Sequence, residues 1–425
     1  MNKHWIMIIA VCIMVVGSVS FAIADDPGGP TVEGKVITTT TVHGNVDVKN
    51  EGQLDAGGIT ITGDGTTIDS NSEVNSTVDL KDITVDGKKV GIGNVNINES
   101  GVENSKIILD HDIDHVNSKN SEVNLGNVDV DNSNIKEDAL LKSTVKSTGT
   151  ITATDGKIEM GNIKVKNKSE VSGGAAVISN VENTKNIEAT NGTVNMGNIE
   201  LDNSKIQGEG GIISDVANYG TVNAKGNDSK IEMGNISLKD SKVLDGAVIG
   251  STVVNSKEVT ATNSGTVSMG TMNIQNSTIS GKNTQVGSHV FNDGIVKADG
   301  PNSTIEMGGV DVIDGTVKDS KIDTTVINNG NIEATGGGKI GMGKIGVYGG
   351  NIENGTLISD VTNDGTVKAT GGGQIEMGKI GVYGGTVKGG TLQSTVKVNS
   401  GGRVTADGKG SKANLGGIRV GGQKN

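Results

Sequence analysis

Residues 361–378 read VTNDGTVKATGGGQIEMG, and the fold follows from the way this phrase recurs along the chain. Its last two residues are one landmark, an apolar residue followed by Gly. The landmark stands at Ile92-Gly93, Leu125-Gly126, Met160-Gly161, Met196-Gly197, Met233-Gly234, Met269-Gly270, Met307-Gly308, Met342-Gly343, Met377-Gly378 and Leu415-Gly416, at spacings of 33 to 38 residues. Its first half is a second landmark, V-x-N-x-G-x-[VI]-x-A. This appears as Val216, Asn218, Gly220, Val222 and Ala224, and again from Val290 and from Val361. The period is therefore about 36 residues.

Inside one copy, short alternating runs are separated by turn residues. Val222-Asn223-Ala224, Ile231-Glu232-Met233, Ile236-Ser237-Leu238 and Ser241-Lys242-Val243 have the period-2 pattern of strands. Gly, Asn and Asp fill the gaps and turn the chain. Helical patterning is weak, and its best stretch is Glu137–Lys142. Short strands, turns at fixed offsets and a constant period predict an all-β, parallel β-solenoid, or β-helix. Backbone hydrogen bonds would then run along the axis, at about 4.8 Å per rung. Ile231, Met233, Ile236 and Leu238 should point inward. One repeat is expected to make two rungs of about 18 residues, because a single longer rung encloses more than small side chains fill at native density. The Asn of the second landmark shares its parity with Val and Ala, so it also points inward and must be hydrogen-bonded. Stacked Asn side chains can bond one another up the axis. Ser118 and Ser147 stand at the same phase and would do so less well.

The composition fits a thin core. The chain of 425 residues has 67 Gly, and beyond residue 24 its aromatics are Tyr219, Phe291, Tyr348 and Tyr383. A globular core is not built from so few rings. Disorder would have no need of phase. The net charge is −12, with nearly all cations Lys, which leaves no electrostatic footprint for nucleic acid.

Residues 1–24 resemble a secretory signal: Lys3 and His4, an apolar stretch, and Ala22-Ile23-Ala24 before Asp25. Cleavage there would leave a chain without cysteine, since Cys12 stands in the signal, and without a membrane span. Such a chain would have neither disulfide nor reactive thiolate. Export to a cell surface, the extracellular space or the periplasm is the expected destination. Residues 25–91 alternate but match the period poorly, so they are expected to form a lead and irregular capping rungs. Residues 92–425 form the repetitive solenoid.

The segments VTNDGTVKATGGGQIEM (361–377) and INNGNIEATGGGKIGM (327–342) resemble repeats of filamentous-haemagglutinin-type exoproteins. The resemblance covers about residues 145–417. It implies a right-handed parallel β-helix, export to a bacterial surface, and a role in adhesion or aggregation. The chain departs from that family in lacking the N-terminal secretion domain with its Asn-Pro motifs.

Few residues carry candidate chemistry. Asp110, Asp112 and Asp114 alternate with His111, and simple parity sets His111 and His115 on the opposite face. Three carboxylates on one face suit a hard cation such as Ca²⁺. No neighbouring rung supplies matching ligands, so a solvated irregular rung is the simpler reading. The recurring Met is replaced by Ile92, Leu125 and Leu415 at the same phase, which favours packing over a metal or redox stripe. Catalytic sites for polysaccharide cleavage need paired carboxylates in one groove. The acidic residues here drift between copies, so a carbohydrate-active enzyme is the alternative to a structural or adhesive role. The near-identical segments KIGVYGG at 344–350 and 379–385 put Tyr348 and Tyr383, with Lys344 and Lys379, one period apart. They are the candidate contact patch for a glycan, a protein or a second copy of the chain.

Overall fold

The computed structural model describes residues 19–21, 31–32, 35–48, 53–68, 72–86, 89–226, 229–409 and 412–420. The expected signal segment lies outside these residues, apart from Val19–Phe21, which pairs with Ile59–Ile61.

Parallel strands stack into a β-solenoid of about 10 turns, with no helix among the described residues. One turn shows the plan. Leu140–Ser147, Ile151–Thr154, Lys157–Met160, Ile163–Lys166 and Glu170–Val171 follow one another around the rod. Ala176–Asn183 then lies on Leu140–Ser147, in register residue for residue. The expected strands around Val222, Ile231, Ile236 and Lys242 are all present. The Glu137–Lys142 stretch is not helical. Glu137 and Asp138 turn the chain at φ of 54° and 61°, and Leu140 opens a strand whose Leu141 enters the core.

The register corrects the expected two rungs per repeat. Met160 lies beside Met196, and Ile163 beside Ile199, so one repeat makes one turn. The packing constraint is met in another way, because the turn is pinched at the waist. Val145, Ile151, Ala153, Ile158 and Met160 fill one lobe. Leu141, Ile163, Val165, Val171 and Val177 fill the other. Between the lobes the chain comes close to itself. The hydroxyls of Ser76, Ser143 and Thr324 donate to the carbonyls of Gly57, Gly126 and Gly308 at 2.7, 2.6 and 2.5 Å. Ser179 and Ser359 make the same bond to Gly161 and Gly343. Apart from Gly57, which lies one turn before Gly93, these glycines are those of the first landmark. A Cβ on Gly126 would overlap Val145 Cγ2, and φ there is 61°, so only glycine fits comfortably.

The inward expectations hold. Ile231, Met233 and Leu238 are fully buried and Ile236 is 1% exposed. Met160, Met196, Met233, Met269, Met307, Met342 and Met377 form a continuous buried stripe, continuous with Ile92 and Leu125. The asparagine ladder runs through the same lobe. Each of Asn183, Asn218, Asn255, Asn292 and Asn328 donates its Nδ2–H to the Oδ1 of the next turn's Asn, at 2.6–2.8 Å, ending on Asn363. Toward the N-terminus it stops at Ser147, whose hydroxyl instead faces the Gly149 carbonyl at 3.2 Å. Asn183 Oδ1 is accordingly left without a partner.

Candidate functional site

The outer surface is indented where the waist draws the chain inward. Residues just before and after the waist glycine form its two walls. Alternation points Glu159 outward, yet it is only 5% exposed, because the facing wall covers it. Its carboxylate meets Lys157 at 2.5 Å and Lys164, from the far wall, at 3.7 Å. Burial alone would raise the Glu159 pKa, but the two ammonium groups and Asn195 hold it below the usual carboxylate value.

In the earlier turns a second asparagine spine closes this indentation. Asn94, Asn127, Asn162, Asn198 and Asn235 each accept, through Oδ1, the backbone N–H of the residue one turn on, at 2.8–3.0 Å. The spine ends at Thr271. Its sequence signal is the Asn that follows Met-Gly or its equivalent. Parity marks that residue as outward and polar, and so gave no reason to expect a bond.

Past Thr271 the columns change character while the core columns do not. Gly309, Lys344 and Lys379 continue the asparagine column, and Gly341 interrupts the Glu column between Glu306 and Glu376. Asp311 is followed in its column by Gly346, Gly381 and Arg419. The loss of side chains opens two hollows of about 270 and 210 Å³, which share Asp311 and Lys344.

The candidate patch lies in the second hollow. Tyr348 and Tyr383 are register partners, stacked with ring centroids 5.4 Å apart and planes 9° from parallel. Each ring folds back over a glycine: a Cβ on Gly346 or Gly381 would run into it. Arg419 covers the outer face of Tyr383, with its guanidinium carbon 5.9 Å from the ring centroid. Both tyrosines are half-buried. Glu376 bridges Lys344 and Lys379 at 3.0 and 2.8 Å. Burial alone would lower the Lys344 pKa, but Glu376, with Glu306 and Asp311 nearby, raises it above the usual lysine value. Arg419 is the member of this cluster that sequence reasoning missed. Only the one-turn register brings it to the column of Gly346 and Gly381.

The Asp110–His115 segment is arranged differently from its simple alternation. Asp110 and Asp112 face outward and His111 inward, but His115 is also exposed. Ile113 and Val116 are both buried, so the strand turns a corner between them and the parity switches. Asp112 accepts a hydrogen bond from Thr148 at 2.9 Å, and Asp114 lies 3.6 Å from His115. Among the described residues no three His, Cys, Asp or Glu side chains gather closely enough to hold a metal ion. His111 has a structural place. Leu109 takes the waist position that Ser76 and Ser143 hold in neighbouring turns, and His111 takes that of Val78 and Val145. The His111 Nε2–H donates to the Gly93 carbonyl at 3.1 Å, in the manner of the waist serine. Its buried Nδ1 has no partner. Burial pushes the His111 pKa down to about 4, against smaller raising effects of Gly93 and Asp110.

No family model, curated protein or solved structure matches this chain.

Proposed function

We propose that the protein is an exported rod whose role is structural or adhesive, and that its contact surface is the groove along the late turns. One observation carries this reading. The repeats of a single chain keep their core columns constant, yet the outer columns change together after Thr271, from a closed asparagine spine to an open groove with stacked tyrosines. Folding requires no such change, since the earlier turns stack as well without it. A solenoid of parallel turns is a stiff spacer, and a groove on its side is a surface held at a fixed distance from an anchor.

The electrostatics favour attachment over hydrolysis. Burial raises the Glu376 pKa, but its hydrogen bonds to Lys379 and Lys344 outweigh this and hold the carboxyl below its usual value. A general acid needs the opposite shift. The experiment is a Tyr348→Ser/Tyr383→Ser double variant, assayed for surface attachment and cell aggregation after fractionation of cells and medium. Normal folding with loss of attachment supports the reading. Normal attachment by a normally folded variant removes the groove and leaves only the rod.

A further inference from the structure

The groove's own chemistry narrows its occupant. Its charged walls balance, with Glu306, Asp311 and Glu376 against Lys344, Lys379 and Arg419. A polyanion gains nothing from such a lining, and the whole chain is acidic at −12. An extended peptide added as a strand needs unpaired backbone at a sheet edge. This groove offers none, because the strands Ile345–Tyr348 and Gln374–Tyr383 are paired on both sides along the axis. A folded protein partner needs apolar pockets for anchoring side chains. Here stacking and Arg419 close both faces of Tyr383 and one face of Tyr348, and most of what remains is hydroxyl edges, ammonium groups and carboxylates. The lining also repeats. Lys344 and Lys379, Gly346 and Gly381, and Tyr348 and Tyr383 recur one turn apart, at about the 4.8 Å strand spacing. A periodic row of donors and acceptors of both signs matches a chain that presents hydroxyl groups at a regular interval.

We propose that the groove binds a linear, uncharged polysaccharide lying along the rod axis from Thr271 to Arg419. This rests on the attachment reading above and names its ligand class. The Lys and Arg groups donate to sugar hydroxyl oxygens, and the carboxylates accept from hydroxyls. The glycines at 309 and 341 provide the depth for the chain to lie in, and those at 346 and 381 seat the tyrosine rings in its wall.

The test uses the full chain and calorimetric titration with cellohexaose, xylohexaose and chitohexaose, and with polygalacturonate as the anionic comparison. At least one neutral hexamer is expected to bind, more tightly than its trimer, while polygalacturonate does not. A Gly309→Asn/Gly341→Glu variant restores the residue types of Asn198 and Glu232, which fill these columns in earlier turns. It is expected to fold and to weaken binding by about tenfold or more. Should that variant not fold, Lys344→Ala/Lys379→Ala, which alters half-exposed wall residues only, is expected to weaken binding by about fivefold or more. Failure of every neutral hexamer to bind, preference for the polyanion, or unchanged binding by a folded variant overturns the proposal. If the tyrosine double variant loses cell attachment while no oligosaccharide binds, the ligand class is wrong and the attachment reading stands, with a protein or second copy as occupant. If a hexamer binds the groove while attachment is absent altogether, the reverse holds.

Discussion

The Ser143 hydroxyl donates to the Gly126 carbonyl at 2.6 Å across the inside of a single turn. The bond joins opposite walls of the rod and divides its core into two lobes. It also explains why the first landmark ends in glycine. Gly126 →Ala would push a methyl into Val145 Cγ2 at a φ of 61°. The cost is expected to be about 3 kcal/mol, from overpacking and left-handed strain together. Ser143→Ala, which removes only the hydroxyl, should cost about 1 kcal/mol. Denaturant melts of the two variants give the comparison, and equal losses would argue against a tight waist.

The asparagine ladder makes a separate demand. Asn255 accepts from Asn218 and donates to Asn292 and to the Lys257 carbonyl, and it is fully buried. Asn255→Ala leaves a buried donor on one side and a buried acceptor on the other, at about 1–3 kcal/mol for each. Amide exchange should speed up in the turns on both sides of the substitution, since each turn contacts only its neighbours. Exchange unchanged beyond residue 255 itself would show that the ladder is not energetically connected.

Met233→Asp tests the core stripe. The side chain is fully buried between Met196 and Met269, so an aspartate there has no cation to pair with. A loss of several kcal/mol, on the order of 3–5, is expected in a denaturant melt. An unchanged melt would contradict the register.

His111 gives the fold a pH dependence. Its folded pKa, about 4, lies below the usual histidine value of 6.5, so the unfolded chain takes up the proton first. Stability from this group is therefore complete above about pH 6.5, falls as pH drops through the window, and levels off below about pH 4. The loss across the window is about 3 kcal/mol. Leu109→Ser/His111→Val rebuilds the waist of the neighbouring turns and should remove that component. Parallel stability curves from pH 7 to pH 4 for native and variant would rule it out.

The period, the strand positions, the inward Met and the asparagine ladder were legible because each depends only on parity and phase. Asn218 shares its parity with Val216 and Ala224, and alternation alone places it inside. The number of turns per repeat was not legible. A convex turn of about 36 residues would be too wide to fill, whereas the waist at Gly126 and Ser143 splits it, and a contact between residues 17 apart has no local signature. The corner between Ile113 and Val116 moved His115 to the outside for the same reason: one extra residue resets the parity. Tyr348 and Tyr383 were found as a repeated pair, but the groove around them depends on glycines in three columns. Only the stacked register shows those glycines to be neighbours of Arg419 and Glu376.

The one-turn repeat is the claim on which the waist, the ladders and the groove all depend. In a Cys12→Ser background, nitroxide labels at Glu200→Cys and Ser237→Cys sit on register partners of adjacent turns. Labels at Glu182→Cys and Glu200→Cys are separated by half a turn, on different faces of the rod. Continuous-wave EPR should show strong dipolar broadening for Glu200 with Ser237 and none for Glu182 with Glu200. Broadening in the second pair and its absence in the first would contradict the architecture.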